Sequence, residues 1–200
     1  MTQPGPARAP RGRPRSERVR LAVLDATADL LTEGGLPAAT IERIAARAGV
    51  SKATIYKWWP TRGHVVLDSF FTRTRDTIAV DPDASLADSL TAQLDALSAL
   101  FRDTPLGRLM RELAAVAQGD ADVRDALEKR WLRPRRAVTV RLLREAAERG
   151  ELRAEIDLEV VADQLWAPIY HRLLFGHAPL RDGLAADLVG QLLTGLLPRR

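Results

Sequence analysis

Ala39-Thr-Ile-Glu-Arg-Ile-Ala-Ala-Arg-Ala-Gly-Val-Ser-Lys-Ala-Thr-Ile-Tyr-Lys-Trp-Trp-Pro-Thr-Arg62 is the stretch that decides the fold. Ile41, Ile44, Ala45 and Ala48 recur at helical spacing, which predicts a short helix that begins after Thr40 and stops at Gly49. Ser51 is a good N-cap for the next helix, Lys52 to about Trp59, before Pro60 interrupts it. So few residues join the two that they must cross sharply rather than lie antiparallel, which is the geometry of a helix-turn-helix. Gly49 permits the left-handed turn, and Val50 plugs the crossing. Small Ala45 and Ala48 let the following helix approach, while Ile55 and Trp59, four apart, face inward. The outward face is then Lys52, Ala53, Thr54, Tyr56, Lys57 and Trp58.

This ordered set closely resembles the DNA-binding signature of the tetracycline-repressor-like (TetR/AcrR-type) family of transcriptional regulators. The resemblance implies that the outward face enters the major groove of a double-stranded DNA operator, the start of the recognition helix lying nearest the bases. Lys52 would donate to guanine O6 or N7, Thr54 would hydrogen-bond or press its methyl on thymine, and Ala53 leaves room for close approach. Thr40, Tyr56 and Arg62 match positions that contact phosphate in the family, and helix starts also welcome anions. Ser51, the cap, and Lys57 join them as DNA-binding candidates, and Trp58 stands where relatives often carry His or Tyr. Gly63-His64 departs from the acidic and alanine residues usual after the basic position. Taken singly, Thr40 could be merely a cap, Tyr56 a packing residue, and Lys52 and Lys57 solvated charges; only together do they agree on one docking geometry.

Charge follows the same division. The chain of 200 residues is formally +4, yet residues 1–63 hold eleven basic against five acidic groups, and the remainder holds 19 basic against 21 acidic. A basic first third on a near-neutral body suggests where a polyanion is met. Cysteine is absent, which excludes disulfides, thiolate nucleophiles and Cys-ligated zinc and fits a cytoplasmic protein. No apolar run approaches the length needed to cross a bilayer, and no apolar stretch follows the basic N-terminus, so no membrane association is expected. His64, His171 and His177 are too few and too scattered for a triad or a metal pair. The expectation is therefore a protein that is not an enzyme and needs no metal or cofactor.

The rest of the chain reads as all-α, about nine helices in total: a three-helix DNA-binding module and a larger C-terminal helical bundle. Residues 1–15, rich in Pro, Gly and Arg, are expected to be a disordered basic arm. Within it, Arg11-Gly-Arg13-Pro looks like the core of an AT-hook, whose arginines lie along a narrow minor groove; a nonspecific phosphate-binding tail is the plainer reading. The first helix should run from a Ser16 cap to about Glu33, where Gly34-Gly35 stop it. Residues 16–62 then form the helix-turn-helix domain and 63–200 the effector-binding and dimerisation domain. A fourth helix, about Arg62 to Ile78, links the two. Loop signals divide the remainder into helices over about 85–102, 105–118, 121–149, 157–176 and 183–197. Pro134 and Pro168 should kink two of them.

In the family, the body supplies a dimer interface and a pocket for a small effector. Leu173, Phe175, Leu184, Leu188, Leu192 and Leu196 are the candidates for a four-helix homodimer interface, unless the last helix simply packs on its own subunit. Phe101, Met110, Leu113, Trp131, Trp166, Ile169 and Tyr170 are the candidates to line a pocket for a hydrophobic or aromatic effector, and core packing explains each nearly as well. The arginines at 130, 133, 135 and 136 read as a solvated helix face or as an attraction for an anionic effector. The resemblance thus implies a sequence-specific repressor released from a palindromic operator by a small molecule. The alternatives are a ligand-independent regulator and an architectural DNA-binding protein.

Overall fold

A computed structural model describes residues 13–74, 81, 83–153 and 155–196; the side chains of residues 13–15 and 196 lie outside the description. Among the described residues there is no strand. The elements are α1 (Arg13–Ala38), α2 (Ile41–Ala48), α3 (Lys52–Tyr56), α4 (Arg62–Arg73), α5 (Leu86–Asp103), α6 (Leu106–Ala117), α7 (Ala121–Leu127), a π turn (Glu128–Leu132), α8 (Arg133–Glu148), α9 (Leu158–Phe175) and α10 (Leu184–Leu196). Helical backbone continues from α7 through the π turn into α8, so the described residues form nine helical rods. The chain divides into two compact units between Ser69 and Phe70, inside α4 rather than at its start.

The first unit holds α1 to α3 and the beginning of α4. Helix α1 starts at Arg13, ahead of the expected Ser16 cap, and its direction breaks at Gly35, whose φ of 67° only glycine adopts without strain. One more turn follows to Ala38, past the expected stop, because Leu36 still accepts from the amide of Ala39 at 3.2 Å. The core combines Val23, Leu24, Leu30 and Leu31 of α1 with Ile41 and Ile44 of α2, Ile55 of α3, Trp59 and Val65, all buried. Ser69 Oγ donates to the carbonyl of Leu24 at 2.9 Å, which fixes the first turns of α4 on α1 and explains why the boundary falls beyond residue 62.

In the second unit, the sequence punctuation works as expected. Ser85, Asp120 and Asp157 each cap a helix by accepting from backbone amides, and Gly176 ends α9 in the left-handed region. Gly107 is required for a different reason: a Cβ there would stand 2.0 Å from the carbonyl oxygen of Phe101, so only glycine lets α6 leave α5 so tightly. Ahead of Pro134 the helix contains a π turn. The ladder slips to i→i−5 there, Arg133 N–H bonding the carbonyl of Glu128, and the proline, which has no amide to donate, follows where the π turn passes into α8. Pro168 lies inside α9. No described helix is long and apolar enough to cross a membrane.

Candidate functional site

In the first unit, the helix-turn-helix is built by its caps. Thr40 accepts from the amide of Arg43 at 3.3 Å, and Gly49, at φ 65° and ψ 35°, terminates α2 with its N–H aimed at Ala45 and Ala46. Val50 N–H reaches the carbonyl of Ala45 at 3.0 Å, closing the turn. Ser51 caps α3, accepting from Thr54 N–H at 3.2 Å, and its Oγ also lies 2.9 Å from Thr54 Oγ1. Helix α3 is shorter than expected, ending at Tyr56 instead of Trp59. Trp58 and Trp59 both direct their amides to Ile55, a tightened last turn imposed by Pro60.

Ile55 and Trp59 are buried, as the spacing required, and Trp59 Nε1 donates to Asp68 of α4 at 2.8 Å. Lys52, Ala53, Tyr56 and Lys57 are exposed, Thr54 and Trp58 half-buried, so one side of α3 remains available. The Trp58 ring stands edge-on to Trp59, with centroids 5.6 Å apart. Ser51 and Arg62 are exposed and Thr40 half-buried. At the start of α4, Thr61 Oγ1 and His64 Nδ1 lie 2.7 Å apart, so the Gly63-His64 departure still secures the first turn. Arg11 lies outside the described residues, as does the side chain of Arg13.

One contact on this face escaped sequence reading. Lys52 Nζ donates to Glu42 Oε1 of α2 at 3.1 Å, and both side chains are more than half exposed. The amide of Glu42 itself, then the Lys52 ammonium, holds the Glu42 carboxyl below its ordinary range. The spacing of Glu42 and Lys52 across a turn carried no periodic signal that could have paired them.

In the second unit, the aromatic candidates separate into core and cleft. Phe101, Met110, Leu113, Trp131 and Ile169 are buried at 4% exposure or less. Phe70, Trp131, Phe101 and Tyr170 form a chain of rings with successive centroids 4.8, 6.1 and 5.7 Å apart. A cleft of about 230 Å³ between α8 and α9 is lined by Leu132, Arg135, Arg136, Asp163, Trp166, Ala167 and Tyr170. Only Trp166 and Tyr170 of the seven expected pocket residues line it. The others fill the core behind because periodicity identifies a buried face and not what that face meets.

The cleft surface is mostly apolar, and the polar atoms of Tyr170 and Trp166 are hydrogen-bonded. Tyr170 OH accepts from Trp131 Nε1 at 2.6 Å, and desolvation pushes the phenol pKa up to about 12. Trp166 Nε1 donates to Thr139 Oγ1 at 3.1 Å. Arg135 is buried, correcting the solvated-face reading at this position. Its guanidinium lies 3.4 Å over the Trp131 ring and donates to the carbonyls of Trp131 and Thr74. Burial lowers its pKa to about 10, so it keeps its charge at neutral pH. Arg136 is engaged by Asp163 at 2.8 Å and by Glu159, Arg133 by Glu128, and Arg130 lies over Phe71. No cluster of three or more metal-ligating side chains occurs among the described residues.

The expected dimer residues also divide. Leu173 and Leu184 are buried within the subunit, and Leu188 and Leu192 half-buried; the side chain of Leu196 lies outside the description. Phe175, at 74% exposure, stands open, together with Leu174 and Val160 of α9, which the sequence reading did not single out.

Two family descriptions match the chain: "Bacterial regulatory proteins, tetR family" over residues 23–68, and "Tetracyclin repressor-like, C-terminal domain" over residues 80–192. Among curated relatives, the chain is 38% identical over 187 residues to the uncharacterized HTH-type transcriptional regulator YdeS of Bacillus subtilis, covering 93% of each. It superimposes on the crystal structure of the TetR family transcription regulator SCO0332 with a TM-score of 0.76 and 41% identity, covering 90% of this chain and 100% of that one. The fold is also shared with FadR from Bacillus subtilis in complex with stearoyl-CoA, at a TM-score of 0.69 and 18% identity, covering 88% and 98%.

Proposed function

The chain belongs to the tetracycline-repressor-like family of bacterial transcriptional regulators, and from that premise we propose that it is a one-component repressor. It acts in the cytoplasm, gripping a palindromic operator as a homodimer and leaving it when a small apolar or aromatic molecule enters the cleft between α8 and α9. The observation that carries the DNA half of this reading is the exposed side of α3. Its inward residues are consumed by the core, and Lys52, Ala53, Thr54, Tyr56 and Lys57 are left beside the capped start of α2. Lys52 and Thr54 are the base readers, with Ala53 allowing close approach. Thr40, Tyr56 and Arg62 contact phosphate, with Ser51 holding the start of α3 in place.

Support for the effector half comes from the cleft's composition. Trp166, Tyr170, Leu132 and Ala167 offer flat apolar surface, while Arg135 and the Tyr170 hydroxyl supply polar groups behind it. Its volume lies just below the usual range for drug-sized ligands, so the occupant is small. Coupling follows from what the cleft wall touches. Phe70, Phe71 and Thr74, at the end of α4, rest on Trp131, Arg130 and Arg135, and the same Trp131 and Arg135 border the cleft or bond to its lining. A ligand that displaces these groups shifts α4, whose other end begins at Arg62. It releases DNA to the extent that it prefers the DNA-incompetent arrangement.

The test is selection of genomic fragments by the purified protein, followed by footprinting of the enriched sites. A short palindrome protected in excess bulk genomic DNA is the expected result. Protection that disappears under competitor would instead identify an architectural DNA-binding protein.

A further inference from the structure

We infer that Gln93 of α5 is a ligand-recognition residue, and that it recognises a small aromatic molecule through a carbonyl or carboxylate oxygen. The inference rests on the reading of the α8–α9 cleft as the effector site and narrows what that site takes. Gln93 is 5% exposed and meets Thr139 of α8. An indole N–H can only donate, so Thr139 Oγ1 accepts from Trp166 Nε1 at 3.1 Å. The Thr139 hydroxyl then donates to Gln93 Oε1, also at 3.1 Å, in preference to the carbonyl of Arg135 at 3.5 Å. Gln93 Nε2 is thereby a buried donor with no acceptor among the described residues, an arrangement that destabilises the chain until an acceptor arrives.

The same imbalance recurs one turn further along α9. Trp131 Nε1 also can only donate, so Tyr170 OH accepts from it at 2.6 Å, and no described residue accepts the phenol's own proton. The acceptors Thr139 Oγ1, Gln93 Oε1 and Tyr170 OH each already receive a proton, while an amide and a phenol keep one to give. Arg135 adds a cation to the same lining. A molecule that fits must therefore bring acceptors rather than donors, and the flat faces of Trp166 and Tyr170 suit an aromatic ring. Trp166 lines the cleft and its indole is bonded to Thr139, so Gln93 lies two hydrogen bonds behind the wall. A ring that displaces that indole brings its oxygen to Gln93 Nε2. A purely apolar ring leaves the amide unpaired, and an ammonium group meets donors and a guanidinium.

The experiment is calorimetric titration of the full-length chain with probes built on one ring: acetophenone, benzoate, ethylbenzene and benzylamine. Acetophenone and benzoate separate a neutral oxygen from a charged one. Wild type should bind at least one of these two on the order of tenfold more tightly than ethylbenzene, with benzylamine weakest. Gln93→Met, similar in length but without the donor, should lose that advantage and keep its ethylbenzene affinity; Gln93→Leu should repeat the result, and circular dichroism melts control for folding. In wild type, the preferred probe should also shift the Gln93 side-chain amide resonances, which reads the contact without any substitution. Equal affinity for ethylbenzene and the oxygen-bearing probes, a preference that survives Gln93→Met, or unshifted Gln93 resonances would overturn the inference while leaving the cleft reading intact. A wild-type chain that binds none of the probes would overturn the cleft reading and the inference with it.

Discussion

At the scale of the residue, the first unit separates side chains that its core consumes from those it leaves exposed. Trp59 shows the core half. It is 3% exposed, its indole N–H is bonded to Asp68, and Asp68 also lies 3.8 Å from Arg20. Trp59→Ala should destabilise the chain by about 3–5 kcal/mol through cavity and lost hydrogen bond, read as a lowered midpoint in chemical denaturation; an unchanged midpoint would contradict the packing described. Arg62 belongs to the exposed half, where it is proposed as a phosphate contact. Arg62→Ala should weaken binding to specific and scrambled duplexes alike and reduce the slope of log affinity against log salt by about 1 per protomer, about 2 for a dimer on its palindrome. A change confined to one base position would assign it to base reading.

Tyr170 provides a residue-level test inside the body. Its raised pKa means that the folded chain keeps this phenol protonated where an unfolded chain loses the proton. The stabilisation is therefore complete below the ordinary value of 10.0 and is lost as pH rises toward about 12. In Tyr56→Phe, where Tyr170 is the sole tyrosine, ultraviolet titration should show no phenolate until about pH 12 unless the protein unfolds first. Ionisation near 10 with the fold intact would contradict the enclosure of that hydroxyl.

At the scale of the element, most boundaries were legible because punctuation is a local property. Ser85, Asp120, Asp157, Gly176 and Gly183 place the ends of α5, α7, α9 and α10 within a residue or two, since a cap needs only its own backbone neighbours. The outer face of α3 was legible for the same reason: Ile55 and Trp59 have to point one way, and what remains points the other. Three features were not legible. The π turn before Pro134 depends on how the chain absorbs a missing donor, and a kink satisfies the sequence equally well. The burial of Arg135 depends on Trp131 and on Thr74, 61 residues away. The division of the aromatic residues between core and cleft depends on which helices meet, and no spacing within one helix records that. Gly107 gives the element-scale prediction. Gly107→Ala must push α6 away from the Phe101 carbonyl and should cost about 1–3 kcal/mol, visible as a drop in Tm; an unaffected Tm would mean that the α5–α6 turn is looser than described. Trp166→Ala, by contrast, enlarges the cleft wall and should abolish the response of the DNA complex to an aromatic inducer while sparing DNA binding itself.

For the whole molecule, charge and exposed apolar surface make separate statements. The basic excess of the first third, against a body slightly negative overall, matches the proposed division between DNA contact and ligand response. The open apolar residues Val160, Leu174 and Phe175 on α9 are what a partner subunit would cover. The sequence indicated α9 and α10 for this role and named Phe175 among its candidates, but also Leu173 and Leu184, which are buried within the subunit; a leucine stripe looks the same whichever side it packs on. Phe175→Glu should therefore turn a dimer into a monomer in sedimentation at micromolar concentration and strip palindrome binding while leaving helicity unchanged. A dimer that survives the substitution would move the interface elsewhere. The most direct measurement of the central claim is the stoichiometry and specificity of the complex on a selected palindrome, titrated at moderate salt against bulk genomic competitor. Two protomers per palindrome, retained in excess competitor and lost when one half-site is scrambled, is the predicted result. Binding that follows total DNA regardless of sequence would contradict the account.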